Sequence, residues 1–293
     1  MNNLKHSSQL VCLFFTVLSL LAFNTSAPPI SNALKPLGHF LNSNSIKVEV
    51  IGLGGHRESC VQLTVKNRTN RTIKTFLEPG RRLVSDDAGE QDIFIVKKTL
   101  ITIAPLASSK VQGYGFCCQS SLHSPADGSG FSVGFMAPTA WLELADTIDK
   151  YEFDASAIQS AVWALSDHHS ISSIYSLERS SIYPLLQTVA TLRNETLPWY
   201  SYTYVEDTTL FSNKIDRIHG KFDYYIKNNA AVSIVVKTAK GKVMTTLKAG
   251  GIYGHGKQAY DVNFKVKDWP KGDYDILVIE DFSNINTSIR FNI

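Results

Sequence analysis

Two blocks of alternating apolar and polar residues flank a block with helical spacing, and this order constrains the fold more than any other feature of the sequence. The first block, residues 45–136, includes the segments KVEV at residues 47–50 and CVQLTV at residues 60–65. Alternation with a period of two is typical of strands that bury one face. Glycine and proline recur between these segments at the spacing of turns, so the block predicts a β-sandwich.

The middle block, residues 137–195, has the period of amphipathic helices. Apolar residues of one helix face recur three or four positions apart: Ile158, Ala161, Val162 and Leu165. Asp154 precedes this run, and its carboxylate is predicted to cap the helix, while Ser170 is predicted to cap a further helix. We expect a helical unit that packs on the first sandwich.

The β pattern returns after a connector at residues 196–217 and continues to the last residue of the sequence. Segments at residues 231–238 and 242–247 flank Ala239-Lys240-Gly241, which predicts a hairpin. We expect residues 218–293 to form a small Ig-like β-sandwich. The fold class is therefore mainly β with a helical unit between two β-sandwiches.

The sequence begins with the three parts of a secretory signal peptide, at residues 1–27. Lys5 supplies positive charge, residues 10–23 are almost wholly apolar, and Thr25-Ser26-Ala27 suits a signal peptidase. The apolar run is shorter than the roughly 20 residues of a membrane-spanning helix, so we expect cleavage and no membrane span afterwards. Residues 28–44 are rich in Pro, Ser and Asn and predict a linker. These features predict a secreted, periplasmic or outer-surface location.

Composition and motifs exclude several functions. The net charge of +3 is too small to indicate binding to nucleic acid. The sequence has no Gly-x-Ser-x-Gly elbow, no His-Glu-x-x-His motif and no phosphate-binding glycine loop. The pair His168-His169 has no cysteine or carboxylate at a convincing ligand spacing. We expect no metal, no cofactor and no nucleic acid, and a surface protein or glycan of unknown identity as the partner.

Three cysteines follow the signal peptide: Cys60, Cys117 and Cys118. Export favours oxidation, and three cysteines allow at most one internal disulfide. The sequence leaves open whether Cys60 bridges to Cys117 or to Cys118. Adjacent residues of a strand point to opposite faces, so Cys117 and Cys118 are expected to lie in different environments.

The connector carries an aromatic stripe in which the tyrosines alternate: Trp199, Tyr200, Tyr202 and Tyr204. Alternation places the three tyrosines on one face of a strand. Such a face stacks on sugars or on a partner, or it packs on its own domain. Both interpretations remain open from the sequence.

The last block resembles the Ig-like modules that end many exported bacterial surface proteins. The resemblance rests on AVSI at residues 231–234, KGKV at residues 240–243, Gly254-x-Gly256 and WPKGDY at residues 269–274. Such modules are similar to the C-terminal sorting domains of type IX secretion cargo. The resemblance implies an Ig-like fold and an exported protein of uncharacterised activity. The chain ends RFNI, without the usual basic tail of a sorting domain.

A second resemblance lies in the helical block, where residues 157–167 read AIQSAVWALSD. This segment is similar to the helix around the reactive glutamine in bacterial surface thioester domains. In those adhesins a cysteine and a glutamine side chain condense, and the bond acylates a nucleophile on a host surface. The resemblance implies Gln159 as the glutamine and Cys118, or Cys117, as its partner.

Three functions are consistent with the sequence. The first is an exported surface or secreted interaction protein without catalytic activity, which the sandwich plan and the missing enzyme motifs favour. The second is a covalent adhesin with a Cys–Gln thioester. The third is a hydrolase of surface polymers, whose catalytic acids would be placed by the fold rather than by a sequence motif.

Overall fold

The computed structural model describes residues 34–205 and 213–293, and its fold is mainly β with a few helices, as the sequence predicted. The predicted signal peptide lies outside the described residues, as do residues 28–33 of the predicted linker. The described part of that linker belongs to the fold. Leu37 is fully buried, and the amide of Gly38 donates to Glu78 Oε1 at 3.0 Å. Burial of the Leu37 side chain thus holds this segment in the fold, although its composition is rich in polar residues.

The first β block forms a closed six-stranded barrel in which every neighbouring pair is antiparallel. The barrel strands are β2 (Ile46–Leu53), β3 (Arg57–Asn67), β5 (Arg81–Ser85), β6 (Ile93–Ile95), β8 (Ser108–Cys117) and β9 (Asp127–Met136). Their order is β2-β3-β8-β6-β5-β9, with β9 pairing both β5 and β2.

Barrel closure refines the predicted sandwich. Both architectures bury one face of each strand, so the same alternation suits either. Register shifts where β9 pairs with β2 and with β5 mark irregular pairing at the closing strand. A separate three-stranded sheet contains β1 (Lys35–Pro36), β4 (Ile73–Leu77) and β7 (Thr99–Ile103), and α1 (Leu37–Asn42) follows β1.

The helical block contains α2 (Thr139–Lys150), α3 (Ala155–Ser166) and α4 (Tyr183–Arg193), with short 3-10 turns between α3 and α4. Ser170 caps the first of these turns by accepting a bond from the Ser172 amide, as predicted. The predicted role of Asp154 is wrong. Asp154 stands at the start of α3, but no amide of the helix bonds its carboxylate, which instead accepts from the Ser176 hydroxyl at 2.8 Å.

The C-terminal block has two sheets that enclose one apolar core. The first sheet contains β10 (Tyr200–Tyr204), β11 (Ile215–Ile226) and β14 (Gly256–Lys265). The second contains β13 (Val243–Tyr253), β12 (Ala230–Thr238), β15 (Asp273–Glu280) and β16 (Asn284–Asn292). The predicted hairpin is confirmed by the β12–β13 pairing, with Gly241 at φ +85°.

The predicted connector, residues 196–217, supplies part of this C-terminal block. Residues 200–204 form β10, which pairs antiparallel with β11 along its whole length. The structured C-terminal block therefore begins earlier than residue 218. The alternating tyrosines indicated a strand face, but this short polar segment has too few apolar residues to show that the strand joins the C-terminal sheet.

Two apolar cores meet at strands β6 and β8. The barrel core includes Leu63, Val65, Leu83, Ile93, Ile95 and Cys117. The helix-facing core includes Phe94, Phe116, Cys118, Ile158, Ala161 and Leu185. Alternate residues of the same strands enter opposite cores, as strand geometry requires. Strands β6 and β8 are therefore the wall between the barrel interior and the helices.

Candidate functional site

The two adjacent cysteines lie at the end of β8 and enter opposite cores. Cys117 is fully buried in the barrel core, and Cys118 is buried in the helix-facing core. This confirms the expectation that they occupy different environments. Burial raises the pKa of the Cys118 thiol to about 12 and also raises the pKa of Cys117. Cys118 alone of this pair faces the helices.

All three described cysteines are free, so the predicted bridge from Cys60 is not formed in the structure. The Cys60 thiol donates to the main-chain oxygen of Gly115 at 3.5 Å. The Cys117 amide donates instead to the main-chain oxygen of His56 at 2.9 Å. Cys60 and Cys117 share the barrel core but are not cross-strand partners.

Gln159 of α3 is a buried polar side chain that faces β8. Its side chain is 3 % exposed, and Nε2 donates to the main-chain oxygen of Cys117 at 2.8 Å. Its Oε1 is buried and has no hydrogen-bond partner in the described part of the chain. A buried amide oxygen without a partner is costly and therefore unusual in a native protein. The carboxamide is thus held against the peptide group that joins Cys117 to Cys118.

Small and apolar neighbours explain why Gln159 can approach the strand. Ala157 and Ala161 are fully buried on α3, and Ile158 is 1 % exposed. These alanines let the helix lie close to the end of β8. Because the Cys118 side chain belongs to the same helix-facing core, Cys118 rather than Cys117 is the cysteine on the side of Gln159.

Asp92 is the centre of a polar network beside Cys118. Its carboxylate pairs with the Arg82 guanidinium and accepts bonds from the Ser85 amide at 2.9 Å and from Gln119 Nε2 at 3.2 Å. Its main-chain oxygen accepts from the Cys118 amide at 3.1 Å and from the Cys118 thiol at 3.4 Å. Spacing along the chain does not reveal this network, because its members come from β5, the start of β6 and the end of β8.

A serine–histidine pair lies just beyond Cys118. Ser120 Oγ and His169 Nε2 are 2.9 Å apart, and the Ser120 amide donates to Asp167 Oδ1 at 3.2 Å. Burial lowers the pKa of His169, Asp167 opposes this shift, and Arg193 adds to it. A neutral histidine can accept a proton from a hydroxyl. The neighbouring His168 is exposed.

Trp163 lies between two histidines on the same side of α3. Its ring stacks on His56 with centroids 6.4 Å apart and lies 5.8 Å from the ring of His169. Gln159, Trp163 and Asp167 are spaced four residues apart, so they project from one face of the helix and its continuation. The sequence showed this spacing, but not that the face lies along the end of β8.

The aromatic stripe packs on its own domain. Tyr202 is 7 % exposed in the core of the C-terminal block, and Trp199, Tyr200 and Tyr204 are half-buried against that core. Trp199 Nε1 donates to the main-chain oxygen of Arg290 at 2.6 Å. These contacts account for the alternation of the tyrosines. The role of the stripe in stacking on a ligand stays a prediction.

Comparison of the sequence with models of known protein families and with curated proteins gives no match. Within residues 34–205 and 213–293, no group of three or more His, Cys, Asp or Glu side chains is arranged to hold a metal ion. No helix in those ranges is long and apolar enough to cross a membrane.

Proposed function

We propose that this chain is an exported interaction protein that attaches to its partner through an internal thioester between Cys118 and Gln159. One observation carries the proposal: the buried Gln159 carboxamide lies on the Cys117–Cys118 peptide and leaves Oε1 without a partner. A structural glutamine at this depth would be expected to satisfy both ends of its amide. A glutamine whose role is to react at Cδ does not need a hydrogen bond to Oε1 for that role.

Formation of the thioester is a condensation within the chain. The Cys118 sulfur attacks Gln159 Cδ, the S–C bond forms, and the Cδ–Nε2 bond breaks. Ammonia leaves and takes up the thiol proton, so no oxidant or cofactor is consumed. The buried positions of both side chains keep bulk water from the bond that results.

When the chain attaches to its partner, the Cys118 sulfur is the leaving group rather than the nucleophile. A partner amine attacks Gln159 Cδ, the C–N bond forms, and the C–S bond breaks. The amine proton passes to sulfur, and Cys118 returns to the free thiol. A hydroxyl group reacts in the same way to give an ester. Because Gln159 stays acylated to the partner, one chain attaches once, and the reaction is not a catalytic turnover.

Amines and hydroxyls are abundant on surface proteins and glycans, which are the partner classes that the sequence favours. The predicted signal peptide supports a location outside the cytoplasmic membrane, where such partners are found. The module similar to type IX sorting domains, proposed for the C-terminal block, supports the same location. Two sheets around one core are compatible with an Ig-like accessory domain.

Incorporation of methylamine tests this proposal. The purified chain is incubated with methylamine and digested, and the peptide that contains Gln159 is examined by mass spectrometry. We expect methylamine on Gln159 in the wild type and in Cys117→Ala, and none in Cys118→Ala. An unlabelled wild type leaves a non-covalent interaction protein as the function, and labelling of Cys118→Ala contradicts a thioester to that cysteine.

A hydrolase is the second candidate, and the contact between Ser120 Oγ and His169 Nε2 at 2.9 Å favours it. A histidine that accepts the hydroxyl proton turns serine into a nucleophile. A fluorophosphonate probe tests this candidate. Labelling of Ser120 that is lost in His169→Gln supports a hydrolase of surface polymers, whereas an unlabelled Ser120 in the folded protein rejects it.

A further inference from the structure

We propose that Arg82 stabilises the Cys118 thiolate and thereby speeds both formation and opening of the Cys118–Gln159 thioester. This inference rests on the proposed function, because it assigns to that reaction a residue that assists it. It adds a residue of strand β5 to a site otherwise built from β8 and α3.

Asp92 fixes the position of Arg82 relative to Cys118. The Arg82 guanidinium is paired with the Asp92 carboxylate. The main chain of the same Asp92 accepts bonds from the Cys118 amide at 3.1 Å and the Cys118 thiol at 3.4 Å. One residue thus holds the cation with its side chain and the sulfur with its main chain.

The positive charge of Arg82 acts on the Cys118 thiol. Burial raises the pKa of this thiol most, and the charges of Asp92 and Asp167 raise it as well, whereas the charge of Arg82 lowers it. Arg82 is therefore the cation that offsets burial at this sulfur. Its Nε is buried and has no hydrogen-bond partner among the described residues.

Negative charge on sulfur appears only as the bond forms or breaks. The thiolate is the nucleophile when the thioester forms and the leaving group when it opens. The free thiol and the closed thioester are both neutral at sulfur. A cation beside the sulfur therefore stabilises the transition state more than either ground state. We expect removal of the Arg82 charge to change rates more than binding of the partner.

The experiment measures how fast methylamine opens the purified thioester form in R82K, R82Q and the wild type. We expect R82Q to slow opening by roughly threefold or more, because a rate responds only in part to a shift of about one unit in the leaving-group pKa. R82K keeps the charge and should recover part of the rate. R71Q removes an exposed arginine from the loop between β3 and β4 and serves as the matched control. Equal rates in R82Q and the wild type overturn the inference.

Two further measurements keep the result interpretable. If R82Q fails to fold because Asp92 is left unpaired, R82Q/D92N removes both charges and is compared with D92N.

If the wild type lacks the mass loss of a thioester, the proposed function fails. Ultraviolet titration of the Cys118 thiolate in C60S/C117A, with and without R82Q, then tests Arg82 alone. A higher Cys118 pKa in R82Q supports its action on the thiolate, and an unchanged pKa overturns it.

Discussion

Gln159 Nε2 donates a hydrogen bond to the main-chain oxygen of Cys117 at 2.8 Å, and this bond ties helix α3 to the end of strand β8. The proposed thioester would replace this bond, because Nε2 would leave as ammonia. It holds the carboxamide beside the one cysteine of the adjacent pair that faces the helices. The fold therefore brings a helix residue and a strand residue of distant sequence position into one buried site.

The stability contributed by this hydrogen bond can be measured where no thioester can form. In a Cys118→Ala background, we expect Gln159→Ala to lower the free energy of unfolding by about 1 kcal/mol, the usual net value of one hydrogen bond. Urea unfolding measures the change. Gln187→Ala on α4 removes an exposed glutamine and should have little effect. Equal losses of unfolding free energy for the two substitutions would show that the bond to Cys117 contributes no measurable stability.

Acidification should destabilise the chain through its half-buried histidines. Burial lowers the folded-state pKa of His169, so the unfolded chain binds more protons as pH falls below about 6.5. The stabilising contribution is present above that pH and decreases below it. Burial lowers the pKa of His56 and of His219 as well, so one substitution removes only part of the effect.

The comparison of His169→Gln with His168→Gln isolates the part that belongs to His169. Glutamine can keep a hydrogen bond to Ser120 but does not titrate. We expect the drop in melting temperature between pH 7 and about pH 5 to be smaller in His169→Gln than in the wild type. His168 is exposed, so His168→Gln should show the full drop. An identical pH profile for both variants would contradict a titrating role for His169.

Cys60 and Cys117 should be recovered as thiols. The two side chains share a core, but the residues are not register partners of paired strands, and the Cys60 thiol donates to the main-chain oxygen of Gly115. A disulfide needs its two Cα atoms within about 7 Å and suitably directed Cβ atoms. Alkylation of the denatured, unreduced protein from an oxidising compartment should modify both residues. Isolation of a peptide pair linked through Cys60 and Cys117 would refute this expectation.

The aromatic stripe should matter for stability. Tyr202 is 7 % exposed in the core of the C-terminal block, whereas Tyr225 is 50 % exposed. We expect Tyr202→Ala to cost about 3 kcal/mol, in the range for a large buried aromatic side chain. Tyr225→Ala should cost much less. Thermal unfolding of the two variants measures the difference, and a tolerated Tyr202→Ala would mean that the stripe serves something other than packing.

Local patterns in the sequence predicted the local structure well. Alternation at residues 60–65 marked β3, and helical spacing around Ile158 marked α3. The sequence did not predict that the barrel closes. Alternation of apolar and polar residues shows which face of a strand is buried, but not that β9 pairs with two distant strands. The buried lead-in at Leu37 was missed for a related reason, since a single apolar residue shows no period.

The candidate site was predictable only in part. A short resemblance singled out Gln159 with Cys117 or Cys118, and the rule that neighbouring strand residues face opposite ways separated the two cysteines. Arg82 and Ser120 carried no sequence signal, because their roles come from contacts with Asp92 and His169 across the fold. Such contacts depend on tertiary packing and cannot be read from spacing along the chain.

The intact mass of the untreated protein tests the central claim most directly. The chain is purified without amines or reductants. The measured masses of the wild type, Cys118→Ala and Gln159→Ala are each compared with the mass calculated from the amino-acid sequence of that purified protein. We expect the wild type alone to be lighter by one ammonia, about 17 Da, because condensation expels that molecule. A wild type with the full sequence mass and a free Cys118 thiol would contradict the thioester.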